Sequence, residues 1–182
     1  IRVKYSRLSS LPGTSPRYAI YAAGTCEPHT DGTVSFHNRI YRNRIEGSFA
    51  EAMRFQNVQD HIVGNNVVRL AAPARDGRDT FGIVFGPGCV PGSVSFDVSV
   101  LSNDVAGARY AVVLGAIDGA RVMNNKFGGN GSRTQTPNSL LGYGGAVYIG
   151  VPDDFSSSVC GLNIRLNNML NLLTPRTEPA VW

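Results

Sequence analysis

The chain has 182 residues, 42% of them hydrophobic, with 17 Lys and Arg against 13 Asp and Glu, for a net charge of +4. That length allows one domain with a sizeable core, and so mild a charge without a basic run argues against a nucleic-acid or membrane-surface partner. Charged residues make up only 16%, few for helices with solvated faces, and no segment nears the roughly 20 apolar residues of a membrane helix.

In chain order, Ile1 to Leu11 alternates apolar and charged residues and reads as a partial coil of strand. The chain begins in this strand-like sequence without Met, which reads as a mature product or as the C-terminal portion of a longer protein. Ala19-Ile-Tyr-Ala22 then opens a series of small-apolar-x-apolar segments. Its further copies are Ala52-Met-Arg-Phe55, Gly82-Ile-Val-Phe85, Ala111-Val-Val-Leu114 and Ala146-Val-Tyr-Ile149. They alternate with period two, as short strands do. Ser48 to Phe55 also looks helix-like, but it overlaps one of these copies and is read as strand.

Each strand segment is coupled to a box of the form apolar-x-x-Asn-x-apolar. The boxes are Ile40 to Ile45, Ile62 to Val67, Val100 to Val105, Val122 to Phe127 and Ile164 to Met169, carrying Asn43, Asn65, Asn103, Asn125 and Asn167. The intervals between these Asn are 22, 38, 22 and 42 residues, one unit with insertions. A unit of about 22 residues cannot bury its apolar face alone; stacked copies can. Asn tolerates the left-handed backbone of a tight turn, and Asn side chains stacked at strand spacing can bond in a ladder. The expected fold is therefore all-β, a right-handed parallel β-helix of five to six coils with an Asn-bearing turn, forming one domain over residues 1–182 with residues 172–182 as a capping tail. An antiparallel β-sandwich is the alternative.

Period two assigns faces. On the first strand Ile20, Met53, Ile83, Val112 and Val147 point inward, as do Ala22, Phe55, Phe85, Leu114 and Ile149. Tyr21, Arg54, Val84, Val113 and Tyr148 point outward, flanked by two further outward columns. One is Ala19, Ala52, Gly82, Ala111 and Ala146; the other is Ala23, Gln56, Gly86, Gly115 and Gly150. This face carries no carboxylate. On the second strand Arg39, His61, Ser99, Arg121 and Asn163 are expected in one solvent-facing column. Tyr41, Val63, Leu101 and Met123 form another that is either an exposed apolar strip or half buried.

Strand pattern and Asn boxes together resemble the pectin lyase-like parallel β-helix superfamily over about Arg17 to Asn171. That superfamily includes pectate lyases, polygalacturonases, epimerases, phage tailspikes and non-catalytic surface proteins, so the resemblance implies architecture more than activity. It implies a polysaccharide, an acidic one among the choices, bound or cleaved in a groove over the first-strand sheet by a lyase, a hydrolase or a tailspike-like depolymerase. A secreted protein or one on a cell or virion surface fits that role. The resemblance points to Asp153, Asp154 and Arg54 as candidate catalytic residues, and to Tyr21, Tyr148, Gln56, Asp118 and Arg121 as candidate substrate-binding residues. Asp153-Asp154 stands in Val-Pro-Asp-Asp-Phe, which reads equally as a Pro-Asp turn, and no Gly-His-Gly accompanies it.

The three Cys (Cys26, Cys89, Cys160) and three His (His29, His37, His61) lack metal-site spacing, so no metal is expected beyond the Ca2+ of a lyase-like site. Cys26 and Cys89 fall in loops over the same edge and could pair; Cys160 reads as a core residue. The alternative function is a non-catalytic module for adhesion or assembly, in a homo-oligomer or against the remainder of a longer β-helix.

Overall fold

The computed structural model describes residues 2–11, 14, 16–24, 35–71, 80–86, 94–128, 145–149, 159–165 and 167–170. The strands are β1 (Arg2–Lys4), β2 (Arg7–Ser9), β3 (Tyr18–Ala23), β4 (Ser35–Phe36), β5 (Arg39–Tyr41), β6 (Arg44–Gly47), β7 (Glu51–Gln56), β8 (Val58–Gly64) and β9 (Val67–Leu70). They continue as β10 (Phe81–Gly86), β11 (Ser95–Leu101), β12 (Asp104–Ala106), β13 (Tyr110–Leu114), β14 (Ile117–Met123), β15 (Lys126–Gly128), β16 (Gly145–Ile149), β17 (Val159–Arg165) and β18 (Asn168–Leu170). The helix-like stretch before Phe55 is strand, in β7.

All pairings are parallel and run between a strand and its copy in the next repeat. The first sheet is β3-β7-β10-β13-β16, the second β1-β5-β8-β11-β14-β17 with β4 beside β8, and the third β2-β6-β9-β12-β15-β18. This all-β arrangement of three parallel sheets is consistent with a parallel β-helix. The inner faces share one core in which Ile40, Met53, Phe55, Ile83, Phe85, Leu114 and Phe127 are fully buried. Burying a side chain of that size contributes about 2 kcal/mol.

The ladder asparagines are Asn43, Asn66, Asn103, Asn125 and Asn167. Asn66 Oδ1 accepts both the backbone N–H and the Nδ2–H of Asn43 at 3.0 Å. Asn66 Nδ2 donates to the Ile40 carbonyl and to Asn103 Oδ1, each at 2.9 Å. The same pattern links Asn103 to Asn125 and Asn125 to Asn167, and Ser6 N–H joins the ladder at Asn43 Oδ1. Each side chain thus satisfies buried backbone groups of neighbouring repeats.

Asn65, expected in the ladder, is instead exposed, with φ at 54°. The left-handed position is the residue before the ladder Asn, a column of Tyr5, Arg42, Asn65, Ser102 and Asn124. The amide is selected for its inward hydrogen bonds, and the left-handed backbone belongs to its neighbour.

That one-residue offset inverts the rest of its strand. His61 pairs with Val98 and is fully buried, while Ile62 takes the outward place between Arg39 and Ser99. Val63 pairs with Ile40 and Val100 in the core, and Gly64 stands beside Tyr41 and Leu101. The outer strip is therefore Tyr41, Leu101 and Met123, each half buried.

The small column of the first sheet also faces inward. Ala52, Ala111 and Ala146 are fully buried in the main core. A Cβ on Gly82 would lie 2.8 Å from Val105 Cγ1 and 2.3 Å from the Ala111 carbonyl oxygen. These residues line the inside of the corner between the third and first sheets, where only a small side chain fits.

Candidate functional site

The outer face of the first sheet carries two side-chain columns, not one. The outward register Tyr21, Arg54, Val84, Val113 and Tyr148 is as the alternation predicts. Ahead of it lies Tyr18, Glu51, Phe81 and Tyr110. Because the small residues between turn into the corner, residues three apart share this face. Tyr18 stacks on Tyr21 with centroids 5.1 Å apart at 18°, and Tyr110, Val84 and Val113 form a second apolar cluster with Phe81 and Tyr148.

The face therefore does carry a carboxylate, and Glu51 corrects the expectation of none. Arg54 Nη1 donates to both Glu51 oxygens at 3.1 and 3.0 Å. Their side chains are only 19% and 10% exposed, so this is a largely desolvated pair with more weight than a surface one. Gly86 makes it fit: a Cβ there would sit 2.6 Å from Arg54 Nη2. Beside the pair, the Tyr21 hydroxyl donates to Gln56 Oε1 at 2.7 Å. Arg54, a candidate catalytic residue from the sequence, has its guanidinium paired with Glu51.

The face divides along its length. Toward β3 and β7 it is polar and charge-compensated, with Tyr21 half exposed at 50%. Toward β10, β13 and β16 it is aromatic: Phe81 and Tyr110 are parallel with centroids 6.2 Å apart, and Tyr110 and Tyr148 lie 4.8 Å apart. The Arg17 and Arg109 guanidinium carbons lie 5.1 and 5.2 Å from the rings of Tyr18 and Tyr110, within cation–π range. Aromatic rings with polar tips suit a ligand with apolar faces and hydroxyl edges.

Asp118 and Arg121 do not join this face. Both are exposed on β14, in the second sheet. There a column of left-handed residues, His37, Asp60, Asp97, Gly119 and Gly161, bends each strand at the same place. It leaves a groove of about 530 Å³ in which Arg121 lies with Asp60, Asp97, Ser99 and Asn163. Arg121 is in register with Ser99 and Asn163, as predicted. Asp60 is bound by His37 at 2.5 Å and by Arg39 at 3.2 Å. The hydrogen bond from His37, then that from Arg39, holds its carboxyl below the usual carboxylate range.

Of the sequence-predicted residues, Tyr21, Arg54 and Gln56 come together. Tyr148 stands on the same face four strands away, about 19 Å at ordinary strand spacing. Asp153, Asp154, Cys26, Cys89, residues 172–182 and the side chain of Cys160 lie outside the described residues. Glu51, Tyr18, Phe81 and Tyr110 were missed. Their signal was the aromatic or acidic residue standing just before the small residue in four of the five strand motifs, all but the copy at Ala146. Among the described residues no three His, Cys, Asp or Glu side chains converge as a metal site requires, and no helix is long and apolar enough to cross a membrane. The chain matches no family model, no curated protein and no solved structure.

Proposed function

We propose that this chain is a right-handed, pectin lyase-like β-helix of five to six coils that binds a saccharide chain lengthwise along the outer face of its first sheet. The observation that carries the reading is the set of rings in two register columns of this face, Tyr18 and Tyr21 at one end and Phe81 and Tyr148 at the other, with Gln56 and the Glu51–Arg54 pair in the polar half and Tyr110 buried among the aromatic half. Pyranose rings present flat C–H faces to aromatic rings and hydroxyls to amides and ion pairs. A protein secreted, or displayed on a cell or virion surface, would meet such a polymer.

The reading is of binding first. Cleavage of a glycosidic bond by the usual route takes two carboxyl groups, and Glu51 is engaged by Arg54. The cleaving version of the reading rests on Asp153 and Asp154. A panel of neutral and acidic polysaccharides, assayed for binding, new reducing ends and unsaturated products, tests both versions. Binding lost in Tyr148→Ala and Tyr21→Ala supports the first; turnover abolished by Asp153→Ala or Asp154→Ala supports the second. A panel with no binder removes the reading.

The half-buried strip Tyr41, Leu101 and Met123 on the second sheet favours the alternative of an assembly module, in a homo-oligomer or against further β-helix. Sedimentation of wild type and Leu101→Lys decides it: a shared monomeric mass goes against assembly through this strip.

A further inference from the structure

In the left-handed column of the asparagine turn Asn65 and Asn124 tolerate that backbone, whereas Ser102, Tyr5 and Arg42 do not, the last two at φ 54° and 55°. A tyrosine and an arginine gain nothing conformationally there. A costly backbone residue that persists points to use. The two are neighbours on an exposed ridge: Arg42 Nη1 donates to the Tyr5 hydroxyl at 2.6 Å, with its guanidinium carbon 5.6 Å from the ring centroid. Lys4 Nζ is also 5.6 Å from that centroid, and Tyr41 meets the ring in an edge arrangement at 6.2 Å.

Around the ridge like charges are set side by side. Arg2 is in register with Arg39, and Arg7 with Arg44, an apposition that costs stability unless compensated. Glu46 compensates Arg7 and Arg44, and Asp60 compensates Arg39. Arg2, Lys4 and Arg42 are exposed, and among the described residues no carboxylate pairs with them. Two uncompensated cations at one aromatic ring, Lys4 and Arg42, with Arg2 two residues along the same strand, form an anion site.

We propose that this ridge docks an acidic saccharide, its carboxylate or sulfate groups held by Lys4 and Arg42 with Arg2 beside them. The proposal rests on the saccharide reading and adds charge selectivity at a second place on the molecule, since Arg54 on the first-sheet face is paired with Glu51. Single-stranded nucleic acid fits less well. It needs a row of aromatic faces for base stacking, and on this ridge Tyr5 is a single largely exposed ring, at 63%, with Tyr41 half buried. Repeats at strand spacing of about 4.8 Å are near the length of one pyranose unit, so successive acidic sugars can meet successive repeats.

The test compares a uronate hexasaccharide with the same hexasaccharide reduced at its carboxyls, titrated into the full chain at low and moderate salt. Wild type should prefer the uronate form by about tenfold or more, a preference that shrinks with salt. Lys4→Gln with Arg42→Gln should bring the two affinities together, while Lys126→Gln, exposed on β15 three strands from β6, should leave their ratio unchanged. An undiminished ratio in the double variant overturns the proposal, as does tighter binding of a thymidine hexanucleotide through the same two residues. Equal wild-type binding of both sugars overturns it while sparing the saccharide reading; binding of neither overturns it as well, and the polysaccharide panel then decides the reading. Lys4, Arg42 and Lys126 are exposed, and unchanged urea unfolding confirms that the variants fold.

Discussion

Asn65 and Asn66 are adjacent in one turn and do opposite work: Asn65 is exposed in the left-handed region, and Asn66 is buried with four hydrogen bonds to neighbouring repeats. Asn66→Ala removes all four and leaves buried backbone groups of other repeats without partners. It should cost roughly 2–4 kcal/mol in urea unfolding. Asn65→Gly relieves a left-handed side chain and should stay within about 0.5 kcal/mol of wild type. Equal losses in the two would refute the ladder assignment.

This pair also shows where the sequence misleads. Ile62 to Val67 fits the box with Asn65, and Val63 to Val68 fits it equally with Asn66. Spacing alone could not choose, because the interval from Asn43 to Asn66 is 23 residues while that from Asn103 to Asn125 is 22. The slip exchanged His61 and Val63 with Ile62 and Gly64, since faces alternate with period two. Parallel strands and four of the five ladder Asn were legible because they repeat. The inward corner at Ala52, Gly82 and Ala111 was not, because strict alternation has no place for a bend, and Glu51 was lost with it. Chemistry in the loops was beyond any repeat-based reading.

His61 is packed between Phe55 and Phe85, with ring centroids 4.2 and 5.9 Å away, and neither ring nitrogen has a hydrogen-bond partner. Burial first, then Arg39, lowers its pKa from 6.5 to about 3. The unfolded chain therefore holds the extra proton between those values, so stability is fully present above the ordinary pKa. It falls as pH drops below 6.5, by up to about 1.4 kcal/mol per pH unit from this group. His61→Leu should be at least as stable as wild type at pH 7 and gain relative stability toward pH 5. Parallel pH profiles in urea unfolding would contradict the burial of His61.

Gly82 is required by space. Its Cβ would fall 2.3 Å from the Ala111 carbonyl oxygen, which is backbone and cannot move cheaply. Gly82→Ala should cost about 2–3 kcal/mol, whereas Gly64→Ala, whose Cβ would meet nothing nearer than 3.4 Å, should be nearly neutral. Thermal midpoints of the two variants report the difference.

Removing one member of the Glu51–Arg54 pair strands the other in a largely desolvated site. Arg54→Leu and Glu51→Gln should each cost about 1–3 kcal/mol, and the double variant should recover part of the loss. A double-mutant cycle with no coupling would mean that the pair is not held together in solution.

The central claim, that a saccharide lies along the outer face of the first sheet, is tested most directly by NMR shift mapping with the tightest-binding neutral oligosaccharide of a panel. The largest perturbations should fall on Tyr18, Tyr21, Gln56, Phe81 and Tyr148, with Asn66 and His61 unmoved. Perturbations confined to the second or third sheet, with those five residues silent, would contradict it.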